Sequence, residues 1–182
     1  MDEVGGKQRF LVIHDYGMGG LWWWIHARSV REIRETFRDV AVESDAESLE
    51  RAVRDPDIEE VDIDAPVMPE GLDDLRAERD AQRGRPDFGA FADREVVYLR
   101  RPWDEGDPEL YLMEIGADGR RLREVLLAED GPWIKNDAED WPINPPVVDL
   151  YDPELVGQEV GRDEFEAAWE RAEWDPERQT QT

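Results

Sequence analysis

Two side chains in this sequence ordinarily titrate near neutrality, His14 and His26. Both lie in apolar segments that flank a glycine-rich run. His14 is followed by Asp15 and Tyr16, so it supplies half of a proton-transfer site if a carboxylate such as Asp62 or Asp64 reaches it from another strand. The competing reading is a histidine hydrogen-bonded at a strand end. Pairing Val12 with Trp24 would set His14 beside Trp22 and His26 beside Phe10, all on one sheet face. At the usual strand rise the two imidazoles would then stand ~13 Å apart, too far for one metal ion to bridge. His14 and Asp15 are therefore the candidate catalytic pair, with no metal assigned.

Other motifs are weaker as chemistry. The run Gly17-Met-Gly-Gly20 sits between two strands, whereas phosphate-cradling glycines lead from a strand into a helix, and no P-loop Lys or Ser/Thr follows. Acidic pairs such as Asp62/Asp64, Asp73/Asp74 and Asp137/Glu139/Asp140 could hold a divalent ion. Among 47 acids such pairs arise by chance, and EF-hand spacing is absent. A Gly-x-Ser-x-Gly elbow is missing, and a chain without Cys has no thiol nucleophile. No cofactor is expected. Trp22-Trp-Trp24 reads either as core or as a recognition patch. Neighbouring strand residues face opposite ways, so Trp22 and Trp24 are expected to be structural and Trp23 to reach a groove. Further candidate binding residues are Trp133, Trp141, Asp137, Glu139 and Asp140, all in the acidic segment 129–174.

The elements that must position these residues alternate between strand and helix signals. Arg9 to Asp15 and Leu21 to Ala27 form a hairpin around Tyr16-Gly-Met-Gly-Gly20. Ser29 with Glu32, and Ser44 with Glu47, are capping-box signatures that open helices at about 30–38 and before Asp55-Pro56, with a short strand at 40–42 between them. Glu59 to Asp64 alternates acid and aliphatic as an edge or half-buried strand, and a polar helix follows at about 71–82. Gly84-Arg-Pro-Asp-Phe-Gly89 is the softest boundary, giving an N-terminal region 1–88 and a C-terminal region 89–182, or one continuous domain. After a strand at 95–100, a second hairpin joins Glu109–Ile115 to Leu122–Leu127 through Asp118-Gly119. With Ile115 facing Leu122, Glu114 meets Arg123 and Leu112 meets Val125. The stretch 129–161 reads as an ordered strap across the sheet. Asp163 and Glu166 cap a last helix with the stripe Phe165, Ala168, Trp169 and Ala172, and the chain frays beyond Trp174. The expected fold is α+β: a mainly antiparallel sheet from two hairpins with three or four packed helices.

Composition narrows the function classes. The chain has 182 residues, a hydrophobic content of 40% and eight tryptophans, enough for a core despite a formal charge of −25. That charge is uneven: residues 1–40 hold six acids and six bases, residues 41–100 hold 18 and 8, and residues 101–182 hold 23 and 8. Salt adaptation is one reading of the acidity, against which the neutral first 40 residues weigh. The 20 Arg against 2 Lys resemble the coding bias of a GC-rich bacterial genome. An acidic surface repels nucleic acid and anionic membranes and attracts basic proteins, so a basic protein partner is expected, with neither nucleic acid nor membrane bound directly. No run approaches the ~18 apolar residues of a membrane span, and a cytoplasmic location is expected.

Residues 95–173 resemble small uncharacterised acidic domains of bacterial genomes, some encoded beside toxin genes and regarded as immunity proteins. The strand pair Leu110 to Leu127, the segment Asp152-Pro153-Glu154 and Asp163-Glu-Phe-Glu-Ala-Ala-Trp169 carry the resemblance. It implies binding and brings no catalytic residues. The leading expectation is an acidic protein-binding module, of immunity or antitoxin-like type. The alternatives are a nucleic-acid mimic and a small enzyme with a pocket near His14, Trp22 and Trp24.

Overall fold

Four successive apolar residues, Phe10 to Ile13, make the first strand sticky on both sides, and the fold covers both. The computed structural model describes residues 6–16, 19–102, 109–138 and 146–176. The fold is α+β, and the described residues form two mixed, mostly antiparallel sheets, four α-helices and one 3-10 helix. The chain divides into two compact units, Met1–Phe88 and Gly89–Thr182. Each is built around one hairpin.

In the first unit β1 (Gln8–Asp15) pairs antiparallel with β2 (Gly20–Ala27). Strand β3 (Ala41–Val42) adds to β1, and β4 (Glu59–Asp62) runs parallel beside β2, giving the order β3-β1-β2-β4. Helices α1 (Val30–Thr36) and α3 (Leu72–Arg83) contribute Ile33, Leu72 and Leu75 to one face, packed on Val12, Trp23 and Ile25. Helix α2 (Ala46–Val53) lays Leu49 and Ala52 on the other face, against Leu11 and Trp24. Ser29 caps α1 by accepting the Glu32 N–H (3.1 Å), and the Glu32 carboxylate accepts the N–H of Arg28, one residue before the cap (2.6 Å). Helix α2 starts later than its Ser44/Glu47 signature suggests: Asp45 is the cap and accepts from the Ser48 N–H at 2.8 Å. Arg79, 1% exposed, ties α3 to the end of α1 by donating to Gln82 Oε1 (2.8 Å) and the Phe37 carbonyl (3.0 Å).

The second unit holds β5 (Val96–Pro102), β6 (Leu110–Gly116), β7 (Arg121–Leu126), β8 (Ile134–Asp137) and β9 (Glu173–Trp174), in that spatial order, with β9 parallel to β8. Glu114 faces Arg123 and Leu112 faces Val125. A register shift then sets Ile115 opposite Arg121, so Leu122 falls out of the expected pairing. Gly119 closes the turn in the left-handed region (φ 83), donating to the Gly116 carbonyl at 2.9 Å. The stretch expected to be a strap contains β8, and its described residues from 146 onward lie as a strap: Val148, Leu150 and Leu155 pack on Val97, Leu99, Met113 and Ile115. Its Val148 N–H reaches the Gly119 carbonyl at 2.8 Å. The opposite face carries α4 (Arg162–Arg171), with Phe165 and Ala168 on Leu112 and Val125. Asp163 does not cap α4; Gly161 stands at the N-cap without a side-chain bond. Glu166 turns instead to Arg123 (2.8 Å). No helix among the described residues is long and apolar enough to cross a membrane.

Candidate functional site

The first hairpin pairs one residue out from the expected register. Leu11 faces Trp24, Val12 faces Trp23, His14 faces Leu21 and Arg9 faces His26. Paired residues share a face, so His14 lies on the side of Val12 and Trp23 while His26 lies with Leu11 and Trp24. The two histidines are on opposite faces. Trp22 and Trp24 share one face of β2 and Trp23 takes the other, but both faces are covered, so burial does not follow the expected split. Trp23, expected at a groove, is a core residue at 3% exposure; Trp22, expected to be structural, is 38% exposed. Trp24 is buried as expected.

His14 Nδ1 donates to the backbone carbonyl of Asp39 at 2.9 Å, the arrangement of a histidine anchored at a strand end. The carboxylates expected to reach it do not come from β4. Asp62 is opposite His26 in the register. Asp62 and Asp64 both take Lys7, the latter at 2.6 Å, and Asp64 also accepts from Arg28 at 2.6 Å. Hydrogen bonds from Arg28 and then Lys7 hold the Asp64 carboxyl down at about 2. His26 Nε2 meets Glu60 at 2.5 Å, and that bond, with Arg9 beside it, keeps Glu60 below the usual carboxylate range. This is an exposed ion-pair ladder along β4. Among the described residues, no group of three or more His, Asp or Glu is placed to hold a metal ion.

Two of the binding candidates of the second unit, Trp133 and Asp137, lie toward one sheet edge. Trp133 immediately precedes β8 and Asp137 ends it, both half-buried. Trp141, Glu139 and Asp140 lie outside the described residues. At this edge β8, the end of α4 and β9 bring together residues that the sequence reading did not connect. Lys135 Nζ stands 5.1 Å from the ring centres of both Trp169 and Trp174 and donates to the Trp169 carbonyl at 2.9 Å. Those two rings meet edge to face at 5.4 Å. Arg171 lies 4.2 Å over Trp133. Deeper in, Arg123 sits 4.9 Å from the rings of Phe165 and Trp169 and bonds Glu114 (2.5 Å) and Glu166 (2.8 Å). The Arg123 bond depresses the Glu166 carboxyl, and burial together with Glu114 raises the Tyr98 hydroxyl. Trp169 was legible as part of a helical stripe. Lys135, Arg171 and Trp174 were not, because their association is tertiary; the one hint is a Trp-x-Lys beside an acidic strand, far in sequence from a Trp-rich helix end.

Comparison of the chain with protein-family models, with curated proteins and with solved structures finds no match.

Proposed function

We propose that this chain is an acidic protein-binding module that covers a basic surface on another protein, as an immunity or antitoxin-like inhibitor does, through its segment 129–174. The observation that carries the reading is how the cations are used. At least fifteen of the 22 Lys and Arg already lie within ion-pair distance of the chain's own carboxylates, Lys7, Arg28, Arg94, Arg100 and Arg123 among them. Since 47 acids face those 22 bases, pairing leaves a large excess of negative charge directed outward. Such a field speeds encounter with a basic protein and disfavours nucleic acid and anionic lipid. His14 is held by a backbone carbonyl, and Asp62 and Asp64, the carboxylates the enzyme alternative calls on, are taken by Lys7 and Arg28. A cytoplasmic site of action belongs to the same reading.

The test is to retain a partner from the native host on the immobilised protein, identify it, and rebuild the complex from the two purified proteins over a salt series. A basic partner is expected, with an association rate that falls as the Debye length shortens to ~10 Å at 0.1 M. An association rate indifferent to salt, or no complex between the purified components, overturns the reading.

A further inference from the structure

The chain contains two lysines, and they are held in contrasting ways. Lys7 lies between two carboxylates, Asp62 and Asp64. Lys135, in a still more acidic half of the chain, lies between two indole rings and a backbone carbonyl. Arg171 repeats the pattern on Trp133. The outer ring, Trp174, belongs to the two-residue edge strand β9 and is 41% exposed. Glu170, Glu173 and Asp175 flank these residues in sequence. The edge is thus built to bind cations, and the chain's own cations show the geometry at work.

We propose that the Trp133, Trp169 and Trp174 edge is a receptor for the guanidinium groups of an arginine-rich segment on the partner, occupied in the free protein by Lys135 and Arg171, which yield on binding. The proposal rests on the acidic-binder reading and says where and how that binder recognises its target. Exchange of one cation for another over an aromatic face is close to balanced, because one cation–ring contact replaces another of the same modest kind. Arginine stacks on indole better than an ammonium does, and a displaced Lys135 enters water between Glu173 and Asp175, the neighbours of its register partner Trp174. The acidic field supplies attraction and the rings supply selection, so several arginines in one segment are needed for useful affinity.

The probe is an amidated hexa-arginine peptide, titrated by calorimetry into the full chain and into Trp174→Ala, Lys135→Met and Trp22→Ala, each checked for native circular dichroism. Trp22 is the control, an exposed tryptophan of the other unit. Loss of Trp174 is expected to weaken binding about five-fold, removal of the Lys135 competitor to tighten it about two- to five-fold, and Trp22→Ala to leave it unchanged. Equal affinity for all four proteins overturns the receptor while leaving the acidic-binder reading in place. Weaker binding by Lys135→Met overturns the displacement. A peptide that fails to bind even the unaltered protein at low salt overturns both readings.

Discussion

Two tryptophans of the first unit, Trp23 and Trp24, lie inside it, whereas the three described tryptophans of the second, Trp133, Trp169 and Trp174, lie at its rim. Trp23 and Trp24 occupy adjacent positions of β2 and so point to opposite faces, where α1 with α3 covers one and α2 the other. Trp133, Trp169 and Trp174 come from three separate elements and meet at the last strand of their sheet, each against a cation. The same residue type thus serves two ends. A run along one strand is divided between two cores by the pleat. A cluster gathered by topology at an edge keeps its faces available to charge.

The strongest way to break that comparison is to remove Trp23. Truncating a fully buried Trp costs ~3–5 kcal/mol, a large part of the ~5–15 kcal/mol that a domain usually has. Trp23→Ala should abolish amide-exchange protection in β1, β2 and α3. Trp22→Ala, at a partly exposed position, should lose less than ~1 kcal/mol. Equal losses in the two variants would mean that the pleat does not sort these side chains.

In the second unit the corresponding weak point is a glycine. A Cβ at Gly119 would stand 2.3 Å from the Val148 carbonyl oxygen, and the residue is at φ 83. Gly119→Val therefore both strains the turn, by ~1–3 kcal/mol, and pushes away the strap whose Val148 N–H bonds that same glycine. The variant should melt earlier and lose the protection of Val97, Met113 and Ile115 beneath the strap. Unchanged melting would show that the strap contributes little to the sheet.

Much of this arrangement was legible in the sequence, and the failures have physical causes. Capping at Ser29, the Asp118-Gly119 turn and the Glu114/Arg123 and Leu112/Val125 pairs follow from local rules. The first hairpin's register did not. Phe10 to Ile13 is apolar at every position, so alternation gave no phase, and the phase is set by a loop that ends in the pair Asp15 and Gly20. Strand β8 escaped because Ile134 is its one aliphatic residue and its surroundings are rich in Pro and acids. The Lys135 site escaped because residues 34 and 39 positions apart become neighbours only when β9 docks beside β8.

The smallest expected effect distinguishes the two kinds of ionic contact. The β4 ladder of the first unit is exposed, whereas Arg123 of the second is partly enclosed between Glu114, Glu166 and two rings. Exposed pairs contribute little, so Asp64→Asn should lower the melting temperature at neutral pH by no more than a few degrees. The sign of its pH dependence is fixed. Because Arg28 and Lys7 depress the folded-state Asp64 carboxyl to about 2, its contribution is fully present above the ordinary carboxylate value of ~4 and is lost as pH falls toward 2. The unaltered protein and Asp64→Asn should therefore differ most at pH 7 and converge as both are acidified through that window. Melting curves at pH 7, 4 and 2 check this. A gap that stays constant across the three would mean that Asp64 acts through its shape and hydrogen bonds, and the ladder would then be no different in kind from the packing that holds the rest of the sheet.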